Sequence, residues 1–169
     1  MNETKDLEAL NEFINEVGDD RNNINSNDKM VLVIEDYLRF GKIMMEKAHE
    51  MDFKIIIATA YGNVFDLVNK YNPIAIKLDV KLPDASGWRI LDLFKNDINF
   101  RHIPVHLISG KENRLSAMQR RARSFSLKPL QTESLNELFN DIIVYFERKI
   151  KKILIIKNNE LDSSQVAKI

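Results

Sequence analysis

Residues 30–34 read Met-Val-Leu-Val-Ile, a run with no polar side chain and too short for a buried helix. A strand that is apolar on both sides must be covered on both faces, as in the parallel sheet of an α/β domain. The pattern then repeats along the chain. Residues 38–51 carry Ile43, Met44, Ala48 and Met51 on one side of a helix and charges on the other. Strand-like runs follow at 55–58, 74–78, 104–108 and, more weakly, 124–127, with helical stretches at 64–71, 88–95 and 112–121 between them. Trp88, Leu91 and Phe94 form the expected inward face of the 88–95 helix. Further on, Leu135, Leu138, Phe139, Ile142, Ile143, Phe146 and Ile150 hold a period of about 3.6 residues in one long helix. Five strands alternating with five helices predict an α/β fold: an open parallel sheet with helices on both faces.

The flanks read differently. Residues 1–28 hold eight acidic and two basic side chains and seven asparagines. Leu7, Leu10, Phe13, Ile14 and Val17 predict a short amphipathic helix over about 3–17, and Gly18 and the polar run after it predict a linker without chemistry of its own. At the other end, Ile153-Leu-Ile-Ile-Lys-Asn158 repeats Val31-Leu-Val-Ile-Glu-Asp36. The expected organisation is a helix and linker at 1–28, one domain at 29–151, and the start of a second, truncated copy at 152–169. That copy carries Lys157 and Asn158 where the first has Glu35 and Asp36, so it is expected to be impaired in whatever those acids do.

Composition narrows the function classes. With 25 basic and 25 acidic residues the formal charge is zero, which argues against nucleic-acid binding by bulk electrostatics. No cysteine is present, so disulfides, thiolate metal sites and cysteine nucleophiles are excluded. No apolar run approaches the roughly 20 residues of a membrane helix, and the N-terminus lacks the apolar stretch of a signal peptide. The expectation is a soluble cytoplasmic protein.

In a parallel α/β sheet, ligands sit beyond the carboxyl ends of the strands. Glu35 and Asp36 follow the first strand, Asp79 the third and Ser109 the fourth, while Lys128 ends the fifth. Each alone has a plain reading as a cap or a solvated loop residue. Together they bring three carboxylates, a hydroxyl and an ammonium to one edge. Clustered carboxylates repel one another unless a cation neutralises them, and oxygen ligands favour a hard ion such as Mg²⁺. A carboxylate held beside Mg²⁺ and a lysine is equipped to attack phosphorus.

Four segments carry a resemblance: Val31-Leu-Val-Ile-Glu-Asp36, Leu78-Asp79-Val-Lys-Leu-Pro83-Asp-Ala-Ser-Gly87-Trp, His102-Ile-Pro-Val-His-Leu-Ile-Ser109-Gly and Phe125-Ser-Leu-Lys128-Pro129. The chain from about 29 to 150 resembles a response-regulator receiver domain, of the kind found in hybrid sensor histidine kinases. The resemblance implies a flavodoxin-like sheet of strand order 2-1-3-4-5. It implies a phosphoacceptor signalling module rather than an enzyme, with a hybrid kinase as a candidate parent chain. Asp79 would be the phosphoacceptor, and Glu35, Asp36, Asp79 and the backbone carbonyl of Lys81 would hold Mg²⁺. Ser109 and Phe125 would be the switch pair, expected at matching positions on adjacent strands. Lys128 would pair with the phosphoryl group and precede a cis bond to Pro129. The implied donor is the phosphohistidine of a histidine kinase or histidine phosphotransfer domain, and a second copy of the chain is a further candidate partner.

Lys81, Arg121 and Ser126 depart from the family pattern, Arg121 standing where the family often has glycine. None of the three removes a reactive group. Two other readings compete. A pseudo-receiver would keep the fold as an interaction module, but such a module has no physical need for Asp36, Asp79, Ser109 and Lys128 together. An aspartate-nucleophile phosphohydrolase of the haloacid dehalogenase type would need a second Asp two residues after the first, and Lys81 stands there.

Overall fold

The structure, a computed structural model, describes residues 17–148. Five strands form one parallel sheet: β1 (Met30–Ile34), β2 (Lys54–Ala58), β3 (Ala75–Asp79), β4 (Val105–Ser109) and β5 (Ser124–Leu127), in the order β2-β1-β3-β4-β5. Five helices alternate with them: α1 (Leu38–Glu50), α2 (Val64–Tyr71), α3 (Gly87–Asn96), α4 (Arg114–Gln119) and α5 (Thr132–Phe146). The sheet order and the two-sided arrangement are those expected from the sequence.

Side chains alternate between the two faces of each strand, so each strand supplies two cores. On one face Val31, Val33, Ile55, Ile57 and Ala75 pack with Met44 and Ala48 of α1 and with Leu135, Leu138, Phe139 and Ile142 of α5. On the other, Leu32, Ile34, Ile56, Ile76, Leu78, Leu107 and Phe125 pack with α2, α3 and Ala117 of α4. Every residue of β1 and β3 is buried, which is why their sequences are nearly continuous in apolar residues.

Several expectations need correction. Ile43 and Phe146 lie on the expected apolar stripes but are 51% and 52% exposed. Each sits at the margin of its stripe, away from the core residues Met44 and Ala48 of α1 and Leu138 and Ile142 of α5. The fourth helix is shorter than 112–121, and Ile90 rather than the partly buried Trp88 joins Leu91 and Phe94 in the core. Residues 17–24 are not a solvated connector. Val17 and Asp19 are buried, Asp20–Asn22 form a 3-10 turn, and Ile24 packs on the sheet. The helix expected over 3–17 (Val17 apart), Ile150 and the repeat at 152–169 lie outside the described residues.

Arg121 has a φ of 64°, in the left-handed region that favours glycine. A glycine at this place would suit the local backbone better than arginine does. Among the described residues, no helix is long and apolar enough to cross a membrane.

Candidate functional site

All five strands run parallel, so their carboxyl ends share one edge, and the expected site residues gather there. The amide of Glu35 continues the ladder by donating to the Ala58 carbonyl at 3.0 Å, which extends β1 by one residue and turns the Glu35 side chain inward. Glu35 and Asp79 are buried and Asp36 is exposed. One carboxylate oxygen from each of the three lies within 4.8 Å of the others. The backbone amide of Lys128 donates to the Ser109 carbonyl at 2.7 Å, which pins the end of β5 to β4. From there Lys128 Nζ reaches Asp79 Oδ2 at 2.6 Å and Glu35 Oε2 at 3.0 Å. Lys128–Pro129 is cis, as expected.

Backbone groups fix the acids further. The amide of Tyr37 donates to Glu35 Oε1 at 3.2 Å and that of Lys81 to Asp79 Oδ1 at 3.1 Å. The loop after Asp79 folds back through a bridge between Lys81 and Ser86, and the Gly87 amide donates to the Val80 carbonyl at 2.9 Å. A Cβ on Gly87 would lie 2.2 Å from the Asp79 carbonyl oxygen and 2.6 Å from Val80 Cα. Only glycine lets the start of α3 come this close to the backbone of Asp79.

The charges are held at a cost. Burial pushes the Glu35 carboxyl above its usual range, Lys128 opposes this, and the charge on Asp79 adds to it. Burial pulls the Lys128 ammonium down, but its bonds to Asp79 and Glu35 outweigh that and hold it above its ordinary value. One ammonium thus bonds two of the three clustered carboxylates. Three carboxylate oxygens gathered at this spacing fit a hard divalent cation.

No protein-family model matches the chain. The polar-differentiation response regulator DivK of Brucella ovis is 27% identical over 82 residues, which are 48% of this chain and 67% of that protein. A response regulator receiver domain (CheY-like) from Methylobacillus flagellatus superposes with a TM-score of 0.60 at 20% identity, over 68% of this chain and 98% of that one. A second such domain, from Methanospirillum hungatei, gives 0.63 at 16%, covering 70% and 95%. The chain has the fold of response-regulator receiver domains and is similar in sequence to a response regulator.

In this domain Ser109 ends β4 and is buried, its Oγ accepting from the Lys111 amide at 3.1 Å. Phe125 is buried as well. The two are not at matching positions: Ser109 pairs with Leu127, and Phe125 pairs with Leu107. A spacing of two residues leaves them on the same side of the sheet, offset by one side-chain step.

The sequence reading passed over Phe40 and Lys77, and it read His106 as a strand residue rather than a metal ligand; the structure places it in β4. Phe40 of α1 places its ring 5.3 Å from Lys128 Nζ. Lys77 is fully buried on the same side of β3 as Asp79, and burial drives its amine well below the ordinary value. His106 lies beside it in the register and hydrogen-bonds Ser124 Oγ through Nδ1 at 2.7 Å, while burial pushes its imidazole down to about 3. Lys77 Nζ and His106 Nε2 have no hydrogen-bond partner among the described residues. A lysine interrupting the apolar run Ile-Ala-Ile-Lys-Leu was the visible signal for Lys77.

Proposed function

We propose that this receiver domain accepts a phosphoryl group on Asp79 from the phosphohistidine of a histidine kinase or histidine phosphotransfer domain. The observation that carries the reading is Lys128 Nζ bound to both Asp79 and Glu35 inside a cluster of three carboxylates. An Asp79 oxygen attacks phosphorus, an O–P bond forms as the N–P bond to the donor imidazole breaks, and the imidazole leaves with the electron pair. Glu35, Asp36, Asp79 and the Lys81 carbonyl would hold Mg²⁺, which when bound supplies positive charge to the equatorial phosphoryl oxygens.

This chain's own groups do the rest. Lys128 passes from the Asp79 carboxylate to a phosphoryl oxygen, so its positive charge stays beside the reacting oxygens throughout. The Lys81 amide holds the second Asp79 oxygen and so orients the attacking one. The Ser109 hydroxyl, whose oxygen already accepts the Lys111 amide, has its proton free to donate to the phosphoryl group. Drawing Ser109 toward that group shifts the packing beside Phe125 and alters the face of α4, β5 and α5.

The test is incubation with Mg²⁺ and acetyl phosphate, followed by intact mass. The expected result is one phosphoryl group per chain, lost on omission of Mg²⁺ and in Asp36→Ala. An unlabelled protein that still binds a histidine phosphotransfer domain would instead support the pseudo-receiver reading.

A further inference from the structure

The sheet has two edge strands, β2 and β5, and the β2 edge is not bare. The Lys54 amide donates inward to Lys29 at 2.8 Å, so by strand alternation the amides of Ile55 and Ile57 point out of the sheet. Both are taken by side chains from the segment just before the domain. Ile57 N donates to Asp19 Oδ2 at 2.8 Å, and Ile55 N donates to Asp20 Oδ2 at 2.8 Å. Arg21 Nη2 donates to the Ile57 carbonyl at 3.0 Å while Nε and Nη2 grip the two oxygens of Asp19 at 2.8 Å each. Tyr71 of α2 donates its hydroxyl to the Arg21 carbonyl at 3.2 Å. The Arg21 and Asp19 side chains are only 7% and 0% exposed. Val17 packs in the core under α1 and α5, and Ile24 in the core on the opposite face. Residues 17–24 therefore cross the edge from one face of the sheet to the other.

An uncovered edge strand presents unpaired amides and carbonyls in a row, a template for pairing with another chain. Here that strand reads Lys-Ile-Ile-Ile-Ala, rich in β-branched residues and without proline or glycine. We propose that residues 17–24 are a strap that closes this edge against a second copy of the chain, with Asp19, Asp20 and Arg21 standing in for a sixth strand. The outward amides of Ile55 and Ile57 and the outward carbonyl of Ile57 each meet a charged side chain instead of a neighbouring backbone. The strap ties the segment upstream of the domain to the sheet, so any force that pulls this segment away uncovers Ile55 and Ile57. Two uncovered β2 strands meet symmetrically, each supplying the same amides and carbonyls to the other.

Amide hydrogen exchange read residue by residue tests this in the full chain, together with sedimentation velocity across a range of concentrations. In the wild type, Ile55 and Ile57 exchange slowly although they face away from β1, and the β2 edge forms no dimer. In Asp19→Ala/Arg21→Ala both amides exchange at least about tenfold faster at low concentration, and the protein self-associates as concentration rises. The milder Asp20→Asn speeds Ile55 and leaves Ile57 unchanged, which separates loss of the strap from loss of the fold. Wild-type amides that exchange freely, or a double variant that stays monomeric with both amides exposed, would overturn the proposal.

Discussion

Asp19-Asp20 and Glu35-Asp36 are both adjacent acids at the margin of the same sheet, and the structure treats them in opposite ways. At the β2 edge the carboxylates meet backbone amides and an arginine fork, and little of their charge is left unmatched. Burial raises the Asp20 carboxyl, but the Ile55 amide, His49 and Lys54 outweigh this and hold it below its ordinary 3.8. At the strand ends Glu35 and Asp79 are buried against each other with one ammonium between them, and Glu35 is pushed up instead. The first pair is satisfied by the fold. The second is left short of positive charge, a deficit that a divalent cation would relieve and that an added phosphoryl group would deepen without one.

Removing the central cation breaks this contrast most severely. Lys128→Met leaves Glu35 and Asp79 buried without their ammonium and is expected to lower stability by about 2–3 kcal/mol and phosphorylation on the order of a hundredfold. Added Mg²⁺ should recover part of the stability, read by urea denaturation. Arg21→Ala at the strap should lose stability with no Mg²⁺ recovery, because its acids are already turned to amides. Equal responses to Mg²⁺ in the two variants would erase the distinction.

Gly87→Ala acts on the site alone. Its Cβ would fall against the backbone of Asp79 and Val80, so a loss of about 2 kcal/mol is expected. Phosphorylation should slow while Ile55 and Ile57 keep their slow exchange.

Glu35→Gln sharpens the contrast with an effect of the other sign. It removes a buried charge, so the metal-free protein is expected to gain on the order of 1 kcal/mol at neutral pH while Mg²⁺ binding weakens. Calorimetry with and without Mg²⁺ reads both.

The smallest effect is in acid. A carboxyl whose folded value lies below its unfolded one stabilises above the unfolded value, and that stability is lost as pH falls through the folded value. Asp20 faces the Ile55 amide and Lys54 on β2 and His49 on α1. Exchange at Ile55 should therefore quicken relative to Ile76, a central-strand amide, as pH drops below 3.8. In Asp20→Asn this pH dependence should disappear.

Much of this was legible in the sequence, and the misses have physical reasons. Met30–Ile34 and the matching runs show because burial on both faces leaves no place for a polar side chain. The site shows because its acids, serine and lysine each stand at the end of such a run. The strap does not show: Asp19, Asp20 and Arg21 sit in a polar stretch whose partners are backbone groups distant in sequence. The offset of Ser109 from Phe125 is likewise a matter of stagger between β4 and β5, which no pattern within one strand reveals. Ile43 and Phe146 keep the helical period yet face solvent, because periodicity does not say where the covering sheet ends.

The central claim is that Asp79, and no other acid near the strand ends, takes the phosphoryl group. Borohydride reduction of the phosphorylated protein converts an aspartyl phosphate to homoserine, which peptide mass mapping then locates. The expected product is homoserine at position 79 in the wild type and at no position in Asp79→Asn. Homoserine at Asp36 or Asp84, or undiminished labelling of Asp79→Asn, would contradict it.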